Sequence, residues 1–174
     1  MMRIALVGFM GTGKSSVARL VALELDYKYL DTDKLIEQRE GMDIPQIFSR
    51  YGEEYFRQQE SKVLQDVIEG EERLVLSTGG GIVISPANRK LLEKSTLPVL
   101  LEASPQIIYE RVKNSDRPLL KMGEGKVLNK IKELLAERRR YYHQFNFRIN
   151  TDHKNQREVA EEIIKRVKED GSDK

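Results

Sequence analysis

Gly8-Phe9-Met10-Gly11-Thr12-Gly13-Lys14-Ser15 follows directly on a short apolar run, Ile4-Ala5-Leu6-Val7. The spacing is G-x-x-x-x-G-K-[ST], the loop that joins a buried strand to a helix and cradles phosphate. Each part has a physical task. Glycine lets the chain turn tightly with no Cβ in the way. Backbone N–H groups then point inward as an anion cradle, and the following helix adds the positive end of its dipole. Lys14 is placed to reach the β- and γ-phosphates, and the Ser15 hydroxyl to ligate Mg²⁺. Past the loop, Val17, Leu20, Val21 and Leu25 fall on one helical face, so the strand–loop–helix context is complete. Gly11, Thr12, Gly13, Lys14, Ser15 and Ser16 are therefore candidate triphosphate contacts.

Outward from this loop, short apolar runs alternate with longer helical patterns. The expected strands are Arg3 to Gly8, Tyr29 to Asp31, Leu74 to Ser77, Pro98 to Glu102 and Phe147 to Asn150. Helices are expected over about Lys14 to Leu25, Asp33 to Glu40, Ile44 to Tyr51, Glu53 to Glu69, Pro86 to Glu93, Pro105 to Lys113, Lys126 to Gln144 and Gln156 to Glu169. Such alternation predicts an α/β fold with a parallel sheet covered on both faces. A length of 174 residues suits one such domain, 1–174. Asp170 to Lys174 reads as a frayed tail.

Composition removes whole classes of chemistry. The chain has no cysteine, which excludes disulfides, thiolate metal sites and a cysteine nucleophile. Two histidines, His143 and His153, are too few for a histidine-rich metal site. A net charge of +2 gives no case for a nucleic-acid or membrane partner. No signal-peptide core and no apolar stretch of membrane-spanning length is visible, so a cytoplasmic protein is expected.

Four further segments carry candidate chemistry. Asp31-Thr32-Asp33 follows a strand end, where open parallel sheets bind ligands. One carboxylate there can hold Mg²⁺ through water and another can accept from a substrate hydroxyl, but the same residues are also good helix N-caps. Ser77-Thr78-Gly79-Gly80-Gly81 has three consecutive glycines, more than a simple turn needs, and this favours close approach of a ligand to bare backbone. Gly52-Glu53-Glu54-Tyr55-Phe56-Arg57 opens a helix, with Arg57 one turn in. In Glu137-Arg138-Arg139-Arg140-Tyr141-Tyr142 the arginines point different ways around a helix, so at most one or two face a single site. Ser115 to Lys126, with Pro118, Gly123, Gly125 and Arg117, reads as a lid over phosphates.

Taken together, these motifs resemble the shikimate kinases, small P-loop kinases related to the nucleoside monophosphate kinases. GFMGTGKS, DTD at Asp31 to Asp33, GEEYFR, TGGG, RPLL at Arg117 to Leu120 and ERRRYY match in order and spacing along nearly the whole chain. The resemblance implies a five-stranded parallel sheet in the order 2-3-1-4-5, a substrate-binding region about 32–62 and a lid about 112–126. It implies transfer of the ATP γ-phosphoryl group to the 3-hydroxyl of shikimate, giving shikimate 3-phosphate and ADP on the route to aromatic amino acids, by a monomer. It places Asp33 on the substrate hydroxyls, and Arg57 and Arg138 around the substrate carboxylate with Gly79, Gly80 and Gly81 beside them. It places Lys14 and Arg117 on the phosphates, Ser15 and (through water) Asp31 on Mg²⁺, and Arg111 and Lys154 on the adenine side.

Two other readings compete. Another small-molecule P-loop kinase, such as a gluconate kinase or a nucleoside monophosphate kinase, shares the loop, sheet and lid, and a gluconate kinase also phosphorylates a polyhydroxy acid. A GTP-dependent switch protein predicts an N-K-x-D motif, which the chain lacks.

Overall fold

The structure, a computed structural model, describes residues 2–113 and 124–172. Five strands, β1 (Arg3–Val7), β2 (Lys28–Asp31), β3 (Leu74–Ser77), β4 (Leu97–Glu102) and β5 (Phe147–Asn150), form one sheet in the order β2-β3-β1-β4-β5. Every pairing is parallel; Ala5 stands opposite Leu76 on one side and Pro98 on the other. The expected α/β fold and strand order are thus what the chain adopts.

The helices are α1 (Lys14–Leu25), α2 (Thr32–Glu40), α3 (Ile44–Gly70), α4 (Pro86–Ser95), α5 (Pro105–Val112), α6 (Glu124–Tyr142) and α7 (Gln156–Ser172). They cover the sheet on both faces, and β1 shows how. Its alternate residues Ile4 and Leu6 pack with Val17, Ala18 and Val21 of α1 and Val159 and Ile163 of α7. Ala5 and Val7 point the other way, into a core with Ile36 of α2, Val63 and Leu64 of α3, Leu92 of α4 and Ile131 of α6. A strand buried on both faces must be apolar throughout, which explains the unbroken run that precedes the glycine loop.

Three local departures have physical causes. The two helices expected on either side of Gly52 run as one kinked helix, because Gly52 takes φ 83° and ψ 174° and turns the axis without unwinding either arm. A short 3-10 turn, Ile82–Ile84, was not expected; its apolar run is too short to show a period, yet Ile82 and Val83 are fully buried. Helix α7 continues to Ser172 where a frayed tail was expected, since an established helix propagates cheaply through charged residues. Most of the expected lid, with Arg117, lies outside the described residues. Among the described residues no helix is long and apolar enough to cross a membrane.

This topology brings four loops to one edge. The carboxyl ends of β1, β2, β3 and β5 carry Gly8–Ser15, Asp31–Asp33, Ser77–Gly81 and Thr151–Asn155. Open parallel sheets bind ligands at this edge.

Candidate active site

A cleft of about 840 Å³ opens along that edge, lined by Gly11 to Ser16, Asp31, Asp33, Gly80, Arg111 and Lys154 among others. Helix α1 begins after Gly13, which takes φ 93°, and no side chain caps it. Its first-turn N–H groups therefore face the cleft as anion donors. Lys14 is buried, and its Nζ donates to the Phe9 carbonyl at 2.8 Å. The Thr12 hydroxyl donates to the same carbonyl, also at 2.8 Å, and locks the turn.

Asp31 does two things at once. Its Oδ1 caps α2 by accepting from the N–H groups of Asp33 and Lys34 at 3.1 and 3.4 Å. Its Oδ2 accepts from Ser15 Oγ at 2.9 Å and from the Tyr29 hydroxyl at 3.2 Å. The capping and ligand-site readings of this aspartate are compatible because each uses a different oxygen. Ser77 Oγ lies 3.0 Å from Ser15 Oγ and completes a cluster of hard oxygen donors beside the phosphate loop. Among the described residues no group of three or more His, Cys, Asp or Glu forms a metal cage. An oxygen pair of this kind suits Mg²⁺, which keeps several waters and takes one or two protein oxygens plus substrate phosphates.

On the far side of the cleft a second constellation surrounds the loop Gly79–Gly81. The Gly79 N–H donates to Thr32 Oγ1 at 2.9 Å, which ties this loop to α2. A Cβ on Gly79 would stand 2.6 Å from both Asp33 Oδ1 and Glu60 Oε1. A Cβ on Gly81 would stand 2.2 to 2.4 Å from the Arg57 guanidinium. A side chain at either position would force these charged groups to move, so glycine lets them lie directly against the loop. Arg138 reaches the same loop from α6, donating to the Gly80 carbonyl at 3.4 Å and lying 5.7 Å over the Phe9 ring. Arg57 and Arg138 thus converge on one glycine loop from two helices. Of the adjacent arginines, Arg140 bonds the Tyr141 hydroxyl and Arg139 lines a different cavity, behind the phosphate loop.

Electrostatics bind this constellation together. Glu60 Oε2 accepts from Arg57 at 2.8 Å while Oε1 is buried with no hydrogen-bond partner among the described residues. Burial pushes the Glu60 carboxyl up to about 7, and neighbouring Asp33 adds to the rise, while Arg57 and Arg138 hold it back. Burial works against the Arg57 charge, but Glu60 and Glu53 outweigh it and raise that guanidinium above its ordinary value.

The adenine-side candidates sit at the other end of the cleft. Arg111 donates to Thr151 Oγ1 and O at 2.9 and 2.7 Å and to the Gly11 carbonyl at 3.3 Å, so it staples the Thr151 loop to the phosphate loop. Lys154 lines the cleft and pairs with Glu162.

Sequence reasoning missed three members. Glu60 lies three residues past Arg57 on α3, a spacing that puts both on one face and was open to inspection. Thr32 was weighed only as a cap. Tyr142 was read only as part of the Glu137–Tyr142 segment, and its hydroxyl donates to the Gly80 carbonyl, 62 residues away in sequence, at 2.6 Å.

Comparison with known proteins identifies the family. The family model for shikimate kinase matches residues 10–168. A shikimate kinase from Sulfurihydrogenibium sp. is 44% identical over 97% of this chain and 99% of its own. One from Thermodesulfovibrio yellowstonii is 43% identical over 95% of this chain and 94% of its own. A solved shikimate kinase from Acinetobacter baumannii in complex with shikimate superposes with a TM-score of 0.90 at 33% identity, covering 98% of this chain and 94% of that one. With its phosphate loop, its paired arginines and these matches along nearly its full length, the chain belongs to the shikimate kinase family.

Proposed function

We propose that this chain transfers the γ-phosphoryl group of ATP to the 3-hydroxyl of shikimate, releasing ADP and shikimate 3-phosphate. The observation that carries the reading is the convergence of Arg57 and Arg138 on Gly79–Gly81, one loop away from Lys14 and Ser15. Two guanidinium forks suit a planar carboxylate, and the amide cradle beside them suits a triphosphate. One ligand of each kind, held side by side, is what phosphoryl transfer to a hydroxy acid requires.

The roles follow from the placement. The first-turn amides of α1 and the Gly11–Ser16 backbone hold the phosphates, while Lys14 meets charge developing on the transferred group. Arg57 and Arg138 hold the acceptor carboxylate, with Gly79, Gly80 and Gly81 permitting close approach. Asp33, facing the same loop, orients the acceptor hydroxyl and takes its proton. As the new O–P bond forms, the old bond breaks and its electron pair leaves with ADP. Ser15, with Asp31 through water, would hold Mg²⁺. That ion would neutralise β- and γ-phosphate charge. Arg111 and Lys154 serve the nucleotide's base end. Arg117 carries its phosphate role on the resemblance alone. The protein acts in the cytoplasm as a monomer of one domain, on small molecules only.

A panel of acceptors with coupled ADP detection tests the proposal. Turnover is expected on shikimate and not on gluconate or a nucleotide. The reverse pattern contradicts it.

A further inference from the structure

The Gly80 carbonyl is met by two donors from one helix. Arg138 and Tyr142 are four residues apart on α6, so their side chains share a face. The Tyr142 hydroxyl donates at 2.6 Å and Arg138 Nη1 at 3.4 Å. The first is a short, strong bond and the second sits at the weak end of the range. Tyr142 is 5% exposed, so its hydroxyl has little access to solvent as an alternative partner. Burial also pushes it up to about 12, so it remains a donor across the neutral range. The loop itself has little room, since a Cβ on Gly80 would stand 3.3 Å from Met10 N and 3.4 Å from Gly8 O. The peptide that Tyr142 grips is therefore wedged against the phosphate loop.

The Gly80 carbonyl is part-buried, and leaving such an acceptor short of its donor has a cost. An arginine that is the sole partner of such a carbonyl commits one of its five N–H donors, and with it the direction of its fork, to that carbonyl. We propose that Tyr142 is a positioning residue for the acceptor carboxylate: by satisfying the Gly80 carbonyl it frees the Arg138 guanidinium to turn to the ligand. This rests on the reading of Arg57 and Arg138 as the carboxylate site. Tyr142 touches neither substrate and acts through Arg138.

The test is calorimetric binding and steady-state kinetics of the full chain carrying Tyr142→Phe. The shikimate Kd and KM should rise about tenfold, the effect of one strong donor lost from a part-buried carbonyl. The ADP Kd and kcat should stay within about twofold, because the nucleotide side is untouched. In an Arg138→Ala background the same Phe substitution should weaken shikimate binding by less than about threefold, since its route is already gone. An unchanged shikimate Kd in Tyr142→Phe, with or without a fall in Tm, overturns the inference, as do fully additive effects in the double variant. A wild type that neither binds nor phosphorylates shikimate overturns the functional reading and the inference with it. A wild type that does both, beside an unaltered Tyr142→Phe, overturns the inference alone.

Discussion

Arg57 Nη1 donates to Glu60 Oε2 at 2.8 Å, and the Glu60 side chain is 1% exposed. The proposed substrate carboxylate would meet this guanidinium, and the Glu60 carboxyl that holds it is kept out of water. Burying that carboxylate beside Asp33 costs stability, and the cost depends on pH.

Glu60 is pushed from an ordinary 4.5 to about 7, so between those values the folded chain keeps a proton that the unfolded chain has released. Stability contributed by this group is full below about 4.5, falls as pH rises, and levels off above about 7. Urea melts of wild type and Glu60→Gln at a series of pH values should show their stability difference moving against wild type by about 3 kcal/mol over that window. A difference that stays flat contradicts the burial of a titrating carboxylate.

Arg57→Ala removes one fork of the proposed carboxylate site and leaves Glu60 without its ion-pair partner. The KM for shikimate should rise about a hundredfold, as for loss of a partner from a buried charge pair. The KM for ATP should move little. Equal rises in both contradict its placement on the acceptor side.

Asp33→Asn keeps the shape beside Gly79 and removes the proposed base. A loss of kcat on the order of 100-fold or more is expected, with ATP affinity retained. Unchanged kcat removes Asp33 from the chemistry.

Lys14→Ala deletes a buried ammonium in the cleft that the phosphates would occupy. Turnover should fall at least about 100-fold. Near-normal activity contradicts the assignment of the loop.

Ser15→Ala removes one of the two oxygen donors that suit Mg²⁺. The concentration of Mg²⁺ needed for half-maximal rate should rise about tenfold or more, while the shikimate KM is kept. An unchanged Mg²⁺ dependence contradicts the pairing of Ser15 with Asp31.

Much of this was legible because it is local. Strands β3 and β5 and helix α1 have the residues expected of them, since buried parallel strands read as bare apolar runs and the glycine loop marks both its neighbours. The break between Tyr51 and Glu53 was legible in Gly52, although the chain makes it a kink rather than a gap. The aspartate pair was legible as a set, but not its division of labour. Only coordinates separate the Asp31 oxygen that caps α2 from the one that meets Ser15. Arg138 was separable from Arg139 and Arg140 only by resemblance and spacing, because three adjacent arginines on a helix look alike until one face is known. The bond from Tyr142 to Gly80 and the apposition of Glu60 to Asp33 were not legible at all. They join elements distant in the chain, and no periodicity records which loop a buried side chain will meet.

The account's central claim is that an acceptor carboxylate sits between Arg57 and Arg138 within reach of a nucleotide held by Gly11–Ser16. A crystal structure of the chain with ADP and shikimate bound together tests it most directly. The carboxylate is predicted in contact with both guanidinium groups, with a ring hydroxyl at Asp33 pointing along the phosphate chain. Shikimate bound elsewhere, or seated with its carboxylate away from both arginines, contradicts the account.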